Sequence, residues 1–269
     1  MATQIIKAGT TSLGAANAGD SFYIQEGGQG ISGNVDYSAV NTSVTGLVAK
    51  GFSGSIGTSA NPWITSFSTR LVYGGSGHLY FKGHAADTDV SALVQCTGTG
   101  YFHFLTQGTA TRFEAISGTQ YVANGVTLTT ARFGGTASAT INDTGTGAAV
   151  TTLEVYRGAS VYSQRPHTTI NLYGGTLTLD ADDAGDVNAH TTVNVVGGTL
   201  ILKDSGTITT INYIDGVIQA ARLTRILTIT NTNINMTLPG AQSFLDMATN
   251  GLIVFTNTPT RLMTDGGHI

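Results

Sequence analysis

The chain has 269 residues, only 10% of them charged, and a formal net charge of −4 at pH 7. Its 12 Lys and Arg are scattered along the chain, which argues against nucleic-acid binding. No apolar run is long enough to span a bilayer. The first residues lack the apolar core of a signal peptide, so an exported adhesin is disfavoured.

Residues 1–70 are rich in Gly, Ser and Ala and are predicted to form an irregular, strand-rich cap or attachment region. Apolar segments at 22–24 and 47–48 precede glycines, which indicates two early coils of a stack. A cap is needed there because the open end of a stacked β-structure exposes a sheet edge.

Residues 71–237 are predicted to form a β-helix, and its first half has a weak glycine-centred pattern of four coils. The glycines of those coils are Gly74, Gly75, Gly98, Gly118, Gly134 and Gly135. The same region contains a zone of rings: Tyr73, Tyr80, Phe81, Tyr101, Phe102, His103 and Phe104. We expect this zone to serve as core and subunit interface together, the alternative being a face that binds sugar or protein. Cys96, the only cysteine, allows no internal disulfide and is expected to be a small buried hydrophobe.

The second half of this region has the strongest pattern. Five segments align almost residue for residue: 153–158, 170–175, 193–198, 211–216 and 227–232. The final position is glycine in all but the last, where Thr232 takes its place, and these positions lie 17, 23, 18 and 16 residues apart. Alternating apolar and polar residues around a glycine corner, repeated at this length, predict an all-β fold: a parallel β-helix, or β-solenoid.

The alternation also predicts which side chains point inward. Coil by coil, the predicted inward residues are Leu153, Val155, Ser160, Tyr162; Ile170, Leu172, Leu177, Leu179; Val193, Val195, Leu200, Leu202; Ile211, Tyr213, Ile218, Ala220; and Leu227, Ile229, Ile234, Met236. The 23-residue step is predicted to contain an outward bulge at 180–190.

Outward positions are predicted to form ladders of like residues. Asn171, Asn194 and Asn212 align in one ladder, and Thr176 and Thr199 in another. The pairs Gly174-Gly175 and Gly197-Gly198 are interpreted as turns, because the Lys-Ser/Thr sequence and helix of a phosphate loop are missing.

Residues 238–269 are predicted to be a small C-terminal cap. The pattern breaks at Pro239-Gly240, and residues 243–248 are predicted to be a short helix with Ser243 as N-cap and Gly251 as its stop. An apolar strand is predicted at 252–255.

The acidic residues offer two candidate constellations, a calcium-binding loop and a pair of glycosidase carboxylates. The densest acidic cluster is Asp180, Asp182, Asp183 and Asp186. Calcium binding there is the alternative to a plain solvated loop, but the closing Glu and the spacing of a calcium loop are missing. A glycosidase needs paired carboxylates, and only three Glu occur: Glu26, Glu114 and Glu154. Glu154 is predicted to face outward beside Asn171, and Asp215 to lie at a corner.

The histidines show no metal-binding spacing along the chain. They are His78, His84, His103, His167, His190 and His268, and we interpret them as surface or strand-packed side chains. The sequence therefore predicts no catalytic, cofactor-binding or metal site.

The chain resembles bacteriophage β-helical virion structural proteins. The resemblance is carried by NLYGGTLTL at 171–179, by GFSGSIGTSANP at 51–62, and by a composition rich in Gly, Thr, Ser and Ala with few Glu and Lys. It implies a non-enzymatic homotrimer, made in the host cytoplasm and placed on the capsid surface. There it would decorate or cement the capsid against the major capsid protein or another virion protein. The alternatives are a tail spike or fibre that binds host polysaccharide and, less favoured, a depolymerase.

Overall fold

The computed structural model is an all-β chain. It describes residues 2–255 except 8, 14–18, 34, 37–42, 84–90, 106–107, 143–149, 181–187, 204–205, 222–225, 235–244 and 249–251. Every element of the described part is a strand.

Twelve strands lie in the first half of the chain: β1 (Thr3–Ile6), β2 (Ser21–Ile24), β3 (Ser43–Val48), β4 (Ser55–Ile56), β5 (Trp63–Ile64), β6 (Phe67–Tyr73), β7 (His78–Lys82), β8 (Ser91–Cys96), β9 (Tyr101–Phe104), β10 (Gly108–Ala115), β11 (Thr119–Val122) and β12 (Val126–Phe133). Twelve follow: β13 (Ser138–Ile141), β14 (Val150–Val155), β15 (Ser160–Ser163), β16 (His167–Leu172), β17 (Thr176–Asp180), β18 (Asn188–Val195), β19 (Thr199–Lys203), β20 (Gly206–Tyr213), β21 (Val217–Ala221), β22 (Ile226–Ile234), β23 (Leu245–Ala248) and β24 (Leu252–Phe255).

The strands form two parallel sheets. The first, of 13 strands, has the order β1-β2-β3-β6-β8-β10-β12-β14-β16-β18-β20-β22-β24. The second, of 11 strands, has the order β23-β21-β19-β17-β15-β13-β11-β9-β7-β4, and β5 also pairs with β7. From β6 onward each coil gives one strand to each sheet, which confirms the predicted β-solenoid.

The core is a stack of inward columns between the two sheets. In β17, the sequence TLTLD alternates so that Leu177 and Leu179 are buried while the residues between them face outward. Leu177 stands under Leu200, and Leu179 under Leu202, at the parallel-strand spacing of about 4.8 Å. Burying each such side chain contributes about 1.5–3 kcal/mol. The upstream coils fill the same space with rings: Trp63, Phe67, Phe81, Phe102, Phe104, Phe113 and Phe133.

The corner between the two sheets is turned by glycines, as predicted. Gly158, Gly175, Gly198 and Gly216 all have positive φ, a conformation that costs glycine little. Thr232, the predicted fifth member, lies inside β22 and is not at this corner.

The predicted registers of the central coils are confirmed. Ile170 pairs with Val193, and Val193 with Ile211. Leu200 pairs with both Leu177 and Ile218. The inward side chains of these strands are buried.

The predicted inward pair Ser160 and Tyr162 is wrong. Val161 and Ser163 point inward instead, opposite Leu177 and Leu179. The reason is one extra corner residue, Ala159, which is buried and shifts the following strand by one position.

The predicted register of the fifth segment is also wrong. Ile211 pairs with Thr232 and not with Leu227, which pairs with Gly206. The long first-sheet strands have two segments, and the alternation of inward and outward residues shifts by one position between them. In β18, residues 188 and 190 of the first segment are buried, and residues 193 and 195 of the second. The sequence alignment matched the second segment of β20, which contains Ile211, to the first segment of β22, which contains Leu227. Ile218 accordingly pairs with Leu245, and not with Ile234 as predicted.

The outward bulge predicted at 180–190 is wrong at both ends of that range, where the residues belong to strands. Asp180 ends β17, and residues 181–187 lie outside the described residues. Asn188 and His190 belong to β18 and are buried, so this end of the segment lies in the stack.

The described residues toward both ends of the chain continue the sheets. The predicted helix at 243–248 is wrong, because Leu245–Ala248 is a strand that pairs with β21. The predicted apolar strand at 252–255 is confirmed and pairs with β22. At the other end, the strands that contain residues 22–24 and 47–48 join the first sheet. Pro239-Gly240, Ser243 and Gly251 lie outside the described residues.

Candidate functional site

The second sheet has a patch of four parallel rings on its outward face. His78 and Tyr80 belong to β7, and Tyr101 and His103 to β9; we call these four residues the aromatic patch. The register places His78 opposite Tyr101 and Tyr80 opposite His103. These two pairs stack with ring centroids 4.5 and 4.3 Å apart. The exposed ring of Tyr101 makes this patch accessible from solvent.

The ring zone predicted from the sequence is therefore divided between core and surface. Tyr73, Phe81, Phe102 and Phe104 are buried, which confirms the expected core. The hydroxyl of Tyr73 donates to the carbonyl oxygen of Gly77 at 2.6 Å, and burial raises the pKa of this tyrosine. Cys96, which pairs with Tyr73 in the next coil, is buried as predicted, and burial raises the pKa of its thiol.

Two histidines of the aromatic patch touch. Nδ1 of His78 lies 3.2 Å from Nε2 of His103. Burial, and then the neighbouring His78, lower the pKa of His103. Sequence reasoning missed this pair because the two residues are 25 positions apart along the chain. Only the register between adjacent coils shows that they are neighbours.

The first sheet has a line of one neutral and three charged side chains on its outward face, which we call the charged ladder: Gln95, Glu114, Arg132 and Glu154. Gln95 donates to Glu114 at 3.0 Å, and Arg132 bridges Glu114 at 3.5 Å and Glu154 at 2.5 Å. Arg112 also pairs with Glu114.

This arrangement fixes the charge of Glu114. Burial works to raise its pKa, but the hydrogen bonds from Gln95 and Arg112 and the charges of Arg112 and Arg132 together lower it. A general acid needs the opposite shift, so the charged ladder does not supply one at Glu114. Glu26 lies in the turn after β2, away from this ladder along the chain.

The outward asparagine ladder continues the charged ladder. Asn212 donates to Asn194, and Asn194 to Asn171, both at 2.7 Å. Glu154 pairs with Asn171 in the register, as predicted. Thr176 pairs with Thr199, which confirms the second ladder.

A line of apolar side chains follows the corner between the two sheets, and all of them are exposed except Val196, which is half-buried. Its members occupy equivalent positions in their coils. The backbone N–H of each donates to a carbonyl oxygen at the end of the first-sheet strand one coil earlier. We call them the corner stripe: Ile116, Tyr156, Tyr173, Val196 and Ile214. Tyr156 and Tyr173 stack with centroids 5.0 Å apart. Ile116 and Ile214 are 57% and 55% exposed, which is high for isoleucine.

The corner stripe is interrupted by a notch at Gly134. The notch has a volume of about 270 Å³ and lies between Ile116 and Tyr156, beside Arg132. Gly134 lacks a positive φ, and an added Cβ would lie 3.5 Å from Tyr156 Cβ, an ordinary contact. The neighbouring Gly135 has φ +60°, and a Cβ there would lie 2.2 Å from the carbonyl oxygen of Ile116. Gly135 is therefore required by the turn, whereas Gly134 leaves space on the surface.

A buried polar cluster lies in the coil that contains β15. Arg165 is 0% exposed and donates to the carbonyl oxygens of Asn142 at 2.7 Å, Val126 at 2.6 Å, and Ala123. His167 Nε2 lies 2.8 Å from Ser163 Oγ. The rings of His167 and His190 stack 5.5 Å apart. Burial, and then His190, lower the pKa of His167, with Arg165 adding to the shift against an opposing backbone hydrogen bond with Val150.

Those of the remaining acidic candidates that the structure describes do not assemble into a site. Asp180 accepts a hydrogen bond from Tyr162 at 3.0 Å and lies 4.0 Å from Lys203. Asp215 accepts from the backbone of Gly216 at the corner. Asp182, Asp183, Asp186, His84 and His268 lie outside the described residues. Within the described ranges, no three His, Cys, Asp or Glu side chains group as a metal site.

No family model, curated protein or solved structure matches this chain. Across the residues with described coordinates, no helix has the length and apolar character needed to cross a membrane.

Proposed function

We propose that this chain is a non-enzymatic structural protein of a bacteriophage virion, which decorates or cements the capsid. The proposal rests on the corner stripe, a row of mostly exposed apolar side chains along the rod. In this proposal the protein lies on the capsid surface, as a homotrimer, in contact with the major capsid protein or another virion protein. The oligomer and the location follow from the family resemblance.

The chemistry of the corner stripe suits a protein partner. Contiguous exposed apolar residues mark interaction surfaces, and tyrosine is enriched where binding energy concentrates. Tyr156 and Tyr173 present stacked rings, and the notch beside Tyr156 has room for a side chain of the partner. A stable interface of this kind buries about 800 Å² on each partner, which a long row along a rod can supply.

The charged ladder beside the stripe supports a role without catalysis. Its carboxylates, Glu114 and Glu154, are both engaged by Arg132. A lowered pKa keeps Glu114 ionised at neutral pH, so this side chain is not a proton donor there.

The test fills the notch. We expect Gly134→Leu to weaken binding to capsid shells stripped of this protein about tenfold or more, because the notch can no longer receive a partner side chain. Co-sedimentation measures the binding, and light scattering on the same samples gives the oligomeric state.

Gly134→Ala is the matched control, since a methyl group fits at an ordinary distance and leaves most of the notch open. Tyr173→Lys, which places a charge on the exposed stripe, should weaken binding independently. Unchanged binding by both Gly134→Leu and Tyr173→Lys would contradict a cementing role for this stripe.

A second candidate is a tail spike or fibre that binds host polysaccharide. The aromatic patch favours it, because Tyr101 is 45% exposed and pairs in the next coil with the small Thr119. A sugar ring can stack on such an exposed aromatic face. Loss of polysaccharide binding in Tyr101→Ala, with capsid binding unchanged, would favour this candidate over the first.

A further inference from the structure

We infer that His78 and His103 form a surface site for one divalent transition-metal ion of the class that prefers imidazole, such as Cu²⁺, Ni²⁺ or Zn²⁺. The inference goes beyond the proposed function and departs from the sequence prediction that the chain has no metal site. It rests on the geometry of the aromatic patch.

The distance between the two nitrogens fits shared coordination. His78 Nδ1 and His103 Nε2 are 3.2 Å apart. Two imidazole nitrogens that each lie about 2.0–2.1 Å from one ion are separated by about 2.9 Å at a right angle and about 3.3 Å at the tetrahedral angle. The observed distance lies between these values. The ion would take the place of the proton that the two nitrogens share.

The stacked tyrosines hold the two imidazoles in place. His78 stacks on Tyr101 at 4.5 Å, and His103 on Tyr80 at 4.3 Å. The rings of His78 and His103 are also parallel to within 9°. Their freedom is limited before an ion arrives, so little side-chain entropy is lost on binding.

The position of the pair leaves the other coordination sites to water. Both histidines face outward on adjacent strands and are half-buried. Their inward neighbours, Leu79 and Phe102, are fully buried and anchor both strands. Copper binds most tightly among these ions to a nitrogen site, which makes it the sharpest probe.

The experiment uses Cu²⁺ held by iminodiacetate, which leaves coordination positions open for imidazole. The full chain carries His84→Ala and His268→Ala, so that the histidines outside the described residues do not contribute. We expect calorimetry to show one site and electron paramagnetic resonance to show two imidazole nitrogens on the copper. His78→Ala and His103→Ala should each weaken binding about tenfold or more.

Thr178→Ala is the control: this residue faces outward on β17 of the same sheet, outside the aromatic patch, and its substitution should leave the affinity unchanged. Circular dichroism checks that each variant folds, and His103→Gln replaces His103→Ala if the alanine variant does not. A copper signal with one imidazole nitrogen, or equal affinity with and without His103, would overturn the inference. Because capsid binding is not measured, failure here leaves the proposed function untouched.

Discussion

Arg165 and His167 place polar chemistry inside a core that is otherwise mostly apolar. Arg165 satisfies its guanidinium by donating to carbonyl oxygens of two preceding coils. Because a buried guanidinium without acceptors is costly, these bonds tie three coils together at one residue. His167 stands in the column between Val150 and the coil of His190, where most positions are aliphatic.

His167 is expected to make the protein less stable in mild acid. Its folded pKa is lowered, mainly by burial and by His190, with Arg165 also contributing and Ser163 in contact. An unfolded histidine takes up a proton as the pH falls below about 6.5, whereas buried His167 does not until the pH reaches its lower folded pKa. The free energy of unfolding therefore falls with pH below about 6.5, by up to about 1.4 kcal/mol per pH unit.

Urea unfolding of the wild type and of His167→Gln at pH 7.5, 6.5 and 5.5 measures this effect. Glutamine keeps a hydrogen-bonding group near Ser163 but does not titrate, and every other histidine remains in both proteins. The pH dependence of the variant should be shallower; equal slopes would show that His167 does not carry it.

The histidine pairs show what sequence reasoning could not reach at this scale. His78 and His103 are 25 residues apart, and His167 and His190 are 23 apart. Neither spacing is a metal-binding pattern along a single element. The pairs become visible only after the coil lengths are known, and those lengths include loops whose size does not follow from alternation.

The strand β19 offers a direct test of alternation. Leu200 is fully buried between Leu177 and Ile218, whereas Ile201 in the same strand faces outward. We expect Leu200→Asp to unfold the stack, because an unpaired carboxylate in the core costs several kcal/mol. Ile201→Asp should change the free energy of unfolding by less than about 1 kcal/mol.

Thermal unfolding followed by circular dichroism separates the two variants. Similar loss of stability in both, or a larger loss in Ile201→Asp, would mean that the register is shifted by one residue. Asp183→Ala, outside the described residues, is expected to have little effect.

Strand registers followed from the sequence only where every coil had the same corner. Between Ile170 and Leu202 the corners match, and the predicted pairs are confirmed. One additional buried residue, Ala159, shifted the preceding coil. The alignment at Leu227 failed because the long strands change phase halfway, so that two different segments have the same alternating pattern.

The whole rod should tolerate the loss of one complete coil. Ile170 and Val193 occupy the same position in successive coils. Deleting residues 171–193 removes 193 − 171 + 1 = 23 residues, the full step, and joins Ile170 to Asn194 in the correct phase. Because each coil contacts mainly its neighbours, the shortened chain should still fold, with a lower melting temperature.

Deletion of residues 171–192 is the control. This deletion removes one residue fewer and places Ile170 directly before Val193, so every later side chain changes face. Because the coils before Ile170 are unchanged, this variant should keep a melting transition, but at a lower temperature than the 23-residue deletion. If both deletions fold equally well, alternation does not specify the stack.

At the scale of the molecule, the sequence predicted the fold but not the surfaces that carry the proposals. Alternation and corner glycines are local signals, so the β-solenoid could be recognised from them. The corner stripe is different, because Ile116 and Ile214 are exposed apolar residues that alternation alone does not distinguish from core. The notch exists because Gly134 has no side chain, although only Gly135 is required by the turn. The backbone angles and contacts distinguish the two glycines, and the sequence does not.

The direction of the sheet hydrogen bonds sets the mechanical behaviour of the rod. All strand pairs are parallel and join successive coils, so their hydrogen bonds run along the long axis while the chain itself runs around it. A pull between the two ends loads these bonds in tension, one interface after another, and the weakest interface separates first. A force applied across the rod is instead resisted by the covalent backbone of every coil and by the packed interior. The protein is therefore stiffest against squeezing from the side and most easily extended from its ends.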